Sequence, residues 1–289
     1  HNIHNKLPPQ YFLLYNKSME IKTYLNESVK NGYLLRWQKM PLAVYIAPMK
    51  FYSKQGQDIE YRTMVLKALE TWEKASEGLV SFHLVEHLLN SQINIDWRRV
   101  DRKALGHCTY NFDSVQRLYG ADVSIGLTDG KIHQAYNSSS EVFHTILHEI
   151  GHALGLGHSP YDTDIMYSPH KYGVISLSEN DIYTIQCLYS LPCATPVRQI
   201  ASKYSVMTDN DIDMVIRKLD EKYKNEQDSN SENSQQEQKL IQSSSNNKNL
   251  LDEASNIAEV RKYHLMIQNV GLSNNMSKFF INQHRKNNK

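Results

Sequence analysis

Apolar positions recur along the first two thirds of the chain with two different periods, one suited to strands and one to helices. Residues 42–47, LAVYIA, form an apolar run of strand length just after Pro41 and are rich in β-formers. Over 58–76, Ile59, Tyr61, Val65, Ala68, Leu69 and Trp72 fall at helical spacing, and Gly78 ends the segment. LVSFHLV (79–85), INIDW (93–97) and ADVSIGL (121–127) then read as strands, the last closed by an Asp129-Gly130 turn. A second helix follows, with Ser140 placed to cap it. A third spans 177–189, where Ser178 and Asp181 suit a cap and Ile182, Ile185 and Leu188 give the apolar face.

The two ends of the chain are different in character. Residues 1–35 are polar, with Met19, Ile21, Tyr24, Leu25 and Val29 suited to one face of a short helix. Beyond Pro196, residues 209–223 pattern as an amphipathic helix, whereas 226–249 is a Gln/Asn/Ser tract almost without apolar residues and is expected to be disordered. Residues 250–271 pattern as a helix again, and the chain ends in basic NQHRKNNK. The division expected is therefore an N-terminal extension over 1–35, a folded domain over 36–195 and a polar tail over 196–289, whose deletion should leave the chemistry of the domain intact.

The chemistry concentrates in HTILHEIGHALGLGHSPYDTDIMYSPH. His148 and His152 stand four positions apart, so on a helix they share a face one turn apart and both imidazoles can reach one ion. Glu149 lies about 100° further round, where a carboxylate can meet a water at that ion without ligating it. His158 is too far along to come from the same helix. Gly155, which enters the left-handed region at little cost, ends the helix and lets Leu156 and Gly157 swing His158 back. Three neutral imidazoles leave a fourth tetrahedral position open, as in catalytic zinc sites. His144, one turn earlier, reads as a helix-face histidine because that fourth position is needed for water. His83 and His87 lie on a strand, where a four-residue spacing does not bring two side chains to one ion.

His148, Glu149, His152, Gly155 and His158 spell HExxHxxGxxH, the metzincin zinc signature. Ser159 after the third histidine, Met166 in DIMYSP, the AxxxW of Ala68 to Trp72 and the wording of LSENDIYTIQCLY make residues 36–190 resemble the matrixins, the matrix-metalloprotease-like peptidases. The resemblance implies an α+β catalytic domain: a twisted, mostly parallel sheet with an antiparallel edge strand, a long backing helix, an active-site helix and a C-terminal helix. It implies one catalytic Zn2+ held by His148, His152 and His158, Glu149 as the general base, and Gly155 and Met166 as structural support, Met166 forming a turn beneath the metal. Tyr167 directly follows that methionine and is not expected to be a ligand. The edge strand near Gly106–Thr109 would hold a protein or peptide substrate as an added strand. The segment from Tyr167 to Tyr172 would line a pocket for the residue after the scissile bond, with a hydrophobic preference.

Two family features have no counterpart here. Only RRVDRKA separates Trp97 from Leu105, leaving His107 and His133 without the HxD pair that completes a structural zinc shell, so no second zinc is expected. No PRCGxPD-type cysteine switch is visible. Calcium is left open. Of the three cysteines, Cys187 and Cys193 suit a pair or two free thiols equally, and Cys108 sits in another context.

Composition adds mainly exclusions. A net charge of +1 offers no bulk field for nucleic acid or an acidic membrane surface, and no apolar run is long enough for a transmembrane span. A monomer is expected. No signal peptide is visible, so the compartment is undecided, although the resemblance suggests a secreted or extracytoplasmic protein. The function expected is zinc-dependent endopeptidase; the alternative is a catalytically silent zinc-binding module acting through its terminal extensions.

Overall fold

The fold was examined in a computed structural model, which describes residues 22–50, 55–99, 105–127, 136, 138–222 and 225. The tract 226–249, the patterned segment 250–271, the Asp129-Gly130 turn and His133 lie outside the described residues. Met19 to Lys218 form one compact unit; a second, His1–Ser18 with Leu219–Lys289, falls almost wholly outside the described residues.

Of the segment read as a short helix, Met19 and Ile21 lie outside the described residues, and the described part forms a 3-10 turn, Leu25–Ser28, followed by a short antiparallel hairpin, β1 (Val29–Lys30) and β2 (Tyr33–Leu34). Then come β3 (Leu42–Ile46), the long helix α1 (Gln57–Ala75), β4 (Phe82–Leu84), β5 (Ile93–Arg99), β6 (Gly106–Phe112) and β7 (Leu118–Leu127). The five strands order as β4-β3-β5-β7-β6. All neighbours are parallel except β6, which runs antiparallel along β7 at the edge. The sheet is therefore mostly parallel with one antiparallel edge strand, as expected. β4 is shorter than 79–85 because only three residues pair with β3.

The alternation of β5 shows how the layers form. Ile93 and Ile95 are fully buried, and Trp97 on the same face meets Tyr61 of α1 with ring centroids 5.9 Å apart. Along α1, Tyr61, Val65, Ala68, Leu69 and Trp72 face inward, whereas Ile59 is 69% exposed: it precedes the turn at which the helix meets the sheet. Glu77 and Gly78, both at positive φ, end the helix.

Three helices complete the unit within the sequence stretch that carries the motifs: α2 (Ser139–Ala153), α3 (Glu179–Ser190) and α4 (Val197–Lys203). Ser138, not Ser140, caps α2, accepting from the Glu141 amide; Ser140 lies inside the first turn. The Ser178–Asp181 capping box of α3 forms as the residue types suggest. Trp72 donates to the Leu147 carbonyl at 3.0 Å and Trp37 to the Ala153 carbonyl at 2.8 Å, ordinary hydrogen-bond distances that pin α2 from two sides. Arg36 is buried and gives its guanidinium to the last carbonyls of α3, Leu188 and Leu191, where a cation is favoured.

A final helix, α5, is helical over 212–222, starting a turn later than its pattern suggested. Ile200, Ile212, Val215 and Ile216 are buried, so the compact unit takes in part of the segment read as tail. Among the described residues no helix is long and apolar enough to cross a membrane. Cys108, Cys187 and Cys193 form no disulfide with one another.

Candidate metal centre and active site

α2 carries His148 and His152 on one face, and the chain then reverses. Gly155 sits at φ +96°, a conformation L side chains rarely adopt, with the backbone carbonyl of Leu35 occupying the place a Cβ would take. Gly157 is equally constrained: a Cβ there would meet Glu27 at 2.5 Å. Both glycines thus let the turn nest against the N-terminal segment, and His158 returns to the face of α2.

The three rings converge. Nε2 of His152 lies 3.1 Å from Nε2 of both His148 and His158, and one ligand atom from each of the three lies within 4.8 Å of the others. The outer nitrogens of two rings are engaged by backbone: His148 Nδ1 lies 2.8 Å from the Ile165 carbonyl and His152 Nδ1 2.8 Å from the Leu156 carbonyl. A carbonyl only accepts, so each Nδ1 carries the proton and each Nε2 presents a bare lone pair. Burial holds His148 well below the usual imidazole range and His152 down to about 4, keeping both neutral. Lone pairs pointed at one another repel unless a cation joins them. Bonds of about 2.0 Å to a tetrahedral zinc place nitrogens about 3.3 Å apart, so the donor set fits that ion in chemistry and in spacing.

Glu149 is buried beside the cluster, and burial pushes its carboxyl up to about 8, with the Arg98 guanidinium pulling it the other way. The edge strand comes against it: a Cβ at Gly106 would lie 2.6 Å from Glu149 Cγ and Oε1 and 2.7 Å from Thr145 Cγ2. Met166 is fully buried, and Gly151 of α2 has no room for a Cβ because the Met166 sulfur occupies the space. The methionine turn is held from outside: the Ser159 amide donates to the Met166 carbonyl at 2.8 Å, the Ser159 hydroxyl to Asp164 at 2.5 Å, and the Ile165 amide to Asp181 at 2.8 Å.

A cleft of about 580 Å³ runs past these groups, with β6 on one side and residues 167–172 on the other. Tyr167, Ser168, Pro169, His170 and Tyr172 all line it, as does His144. His144 is no surface histidine: it is buried, its Nδ1 lies 2.5 Å from the Val174 carbonyl, and its ring meets His170 at 3.9 Å between centroids. His170 in turn donates Nε2–H to buried Glu141, whose second oxygen accepts from the Gly173 amide. This polar prop of the 168–174 segment was not legible as such. Nor were the roles of Gly106 and Gly151, although an isolated glycine inside a strand or helix pattern signals close backbone approach. His107, exposed on β6, lines the same cleft as the triad without being one of the three grouped ligands, whereas His83 is exposed on β4. Among the described residues the triad is the one cluster of three or more His, Cys, Asp or Glu arranged to share an ion.

Comparison with known proteins agrees with this geometry. The family model described as matrixin matches residues 36–190. A protein of Heliothis virescens ascovirus 3e, named as a matrix metalloproteinase, is 29% identical over 163 residues, covering 47% of this chain and 33% of its own length. The macrophage metalloelastase of Rattus norvegicus is 40% identical over 60 residues, 20% of this chain and 13% of the relative. A protein of Invertebrate iridescent virus 3, also named as a matrix metalloproteinase, is 41% identical over 64 residues, 21% of this chain and 17% of the relative. The chain spans a third or less of the length of these relatives.

Proposed function

The chain belongs to the matrixin family, and from that premise we propose that it is a zinc-dependent endopeptidase that hydrolyses internal peptide bonds of proteins or peptides, acting as a monomer. His148, His152 and His158 would hold the ion. When bound there, zinc lowers the pKa of a water to about 7 and polarises a carbonyl.

The chain's own residues supply the rest. The substrate lies as an extended strand along the outer edge of β6, near Gly106–Thr109, with its next side chain in the pocket walled by residues 167–172. Glu149, a carboxylate of raised proton affinity, takes a proton from the attacking water as its oxygen bonds to the scissile carbon. It then gives that proton to the amine as the C–N bond breaks. Gly106 leaves the space in which the carboxylate moves. Met166 and the Ile165 carbonyl hold the first histidine from below.

The observation that carries this reading is the convergence of three imidazole Nε2 atoms beside a buried carboxylate. The purified full chain should cleave a quenched peptide, lose that activity to a chelator and regain it with zinc. Glu149→Ala should keep its zinc and lose turnover. Zinc uptake without any cleavage by the wild type would favour a silent zinc-binding module instead, and near-normal cleavage by Glu149→Ala would remove that residue from its role.

A further inference from the structure

The third histidine is held by residues outside the family match on both sides. His158 follows Gly157, and the Gly157 amide donates to the Ser28 hydroxyl at 3.2 Å while the Glu27 backbone fills the space above its Cα. Ser28 is 1% exposed and ends the 3-10 turn Leu25–Ser28. The start of that turn exposes amides with no partner inside it, and no side chain of its own caps it. The partner is distant: Asp213, near the start of α5, accepts from the Thr23 hydroxyl (2.6 Å), the Leu25 amide (2.8 Å) and the Asn26 amide (3.1 Å). Asn26 returns the contact, its Oδ1 accepting from the Asp213 amide and its Nδ2 donating to Asp211. A carboxylate at the positive end of a helical turn is the favoured arrangement.

We propose that Asp213 is a positioning residue for the metal centre: it caps the turn Leu25–Ser28, which braces Gly157 and so sets where His158 Nε2 stands relative to the other two imidazoles. The α5 segment is then part of the working unit and not a dispensable tail, contrary to what its polar composition suggested. The brace acts directly on the third ligand and also steadies the second, because the Gly157 amide and the Leu156 carbonyl that holds His152 Nδ1 belong to one peptide bond. His148 is fixed by α2 and by the Ile165 carbonyl, so loss of the brace leaves that ligand in place, loosens His158 and weakens the support of His152.

This inference rests on the triad holding zinc, and its test separates the two. In the full chain, zinc affinity is measured by chelator competition, alongside the absorption spectrum of the cobalt(II)-loaded protein, for wild type, Asp213→Asn, Ser28→Ala, the double variant, and Val215→Ala. The last weakens α5 packing without touching the turn. Breaking an outer support of a ligand costs about tenfold or more in metal affinity, so Asp213→Asn and Ser28→Ala should each weaken zinc about tenfold and alter the cobalt spectrum. The double variant should be little worse than either single one, because both act along one path. Val215→Ala should lower the melting temperature and leave zinc affinity within about twofold. Equal zinc affinity in wild type, Asp213→Asn and Ser28→Ala overturns the brace alone, as does a loss in Val215→Ala matching that in Asp213→Asn. A wild type that takes up no zinc overturns the zinc reading, and the brace with it. If Asp213→Asn does not fold, Ser28→Ala carries the test by the same criterion.

Discussion

The backbone of Gly106 lies directly against the carboxylate of Glu149, closely enough that one added methyl would overlap its Cγ and Oε1 at 2.6 Å. The edge strand β6 and the helix α2 therefore meet at the one residue type with no side chain. Gly106→Ala should push the carboxylate off its station while the three imidazoles stay where α2 and the following turn put them. A misplacement of about 1 Å can cost on the order of 10²-fold in rate. The expected result is a fall of that order in kcat/KM with zinc content and circular dichroism unchanged; wild-type kcat/KM would show that the strand can retreat instead.

Metal removal should be visible without any substrate. A ligand that binds only the folded state stabilises it by about 2.7 kcal/mol at a free concentration of 100 Kd, and for a unit of about 200 residues each kcal/mol moves the melting temperature by about 2–4 °C. Zinc should therefore raise the melting temperature of the chelator-treated chain by several degrees. His152 stands 3.1 Å from both other imidazoles, so His152→Ala should abolish the shift, and a shift of wild-type size in that variant would locate the metal elsewhere.

The parts of the site legible in the amino-acid order are those whose logic is local. His148 and His152 are one helical turn apart, Gly155 breaks the helix at φ +96°, and Ser178 with Asp181 caps α3 three residues on, each a spacing rule. The parts missed are those whose partners are far away in sequence. Nothing near Gly157 announces Glu27 as its neighbour, and nothing near Leu25 announces a carboxylate 188 positions later. The burial of His144 was not legible because the segment that meets it, 168–174, is irregular and has no period to read. Polarity likewise made the residues beyond Pro196 look dispensable, although Ile200, Ile212, Val215 and Ile216 bury themselves at helical spacing.

Asp181 ties three segments together, accepting from the Tyr24 hydroxyl, the Ile165 amide and the Ser178 amide. Burial raises its pKa above the ordinary carboxyl value despite these donors. The unfolded carboxyl titrates near about 3.9, so between that value and its folded value the native state holds a proton the unfolded chain has lost. Its contribution is therefore full below the unfolded pKa and is lost as pH rises through the folded one. Asp181→Asn does not titrate. The stability gap between wild type and Asp181→Asn, from paired denaturant melts, should narrow as pH is raised from about 4, the ordinary carboxyl value, toward neutrality. A gap that widens would mean the donors outweigh burial.

Met166 and Gly151 fill one space between them. Met166 is fully buried, its sulfur lies where a Cβ of residue 151 would stand, and Trp72 closes the third side. Each single change is therefore costly for an opposite reason. Met166→Ala opens a cavity beside Gly151 of α2 and should cost about 2–5 kcal/mol. Gly151→Ala overpacks the same spot and should cost about 1–3 kcal/mol. The two defects are complementary in volume, since the new methyl enters the room the thioether vacated. The double variant should thus be more stable than the sum of the single losses predicts by at least about 0.5 kcal/mol, the lower end of coupling between residues in contact. Denaturant unfolding of all four proteins in the chelated state measures that coupling free of zinc binding. Strict additivity would mean that α2 and the methionine turn do not share this space.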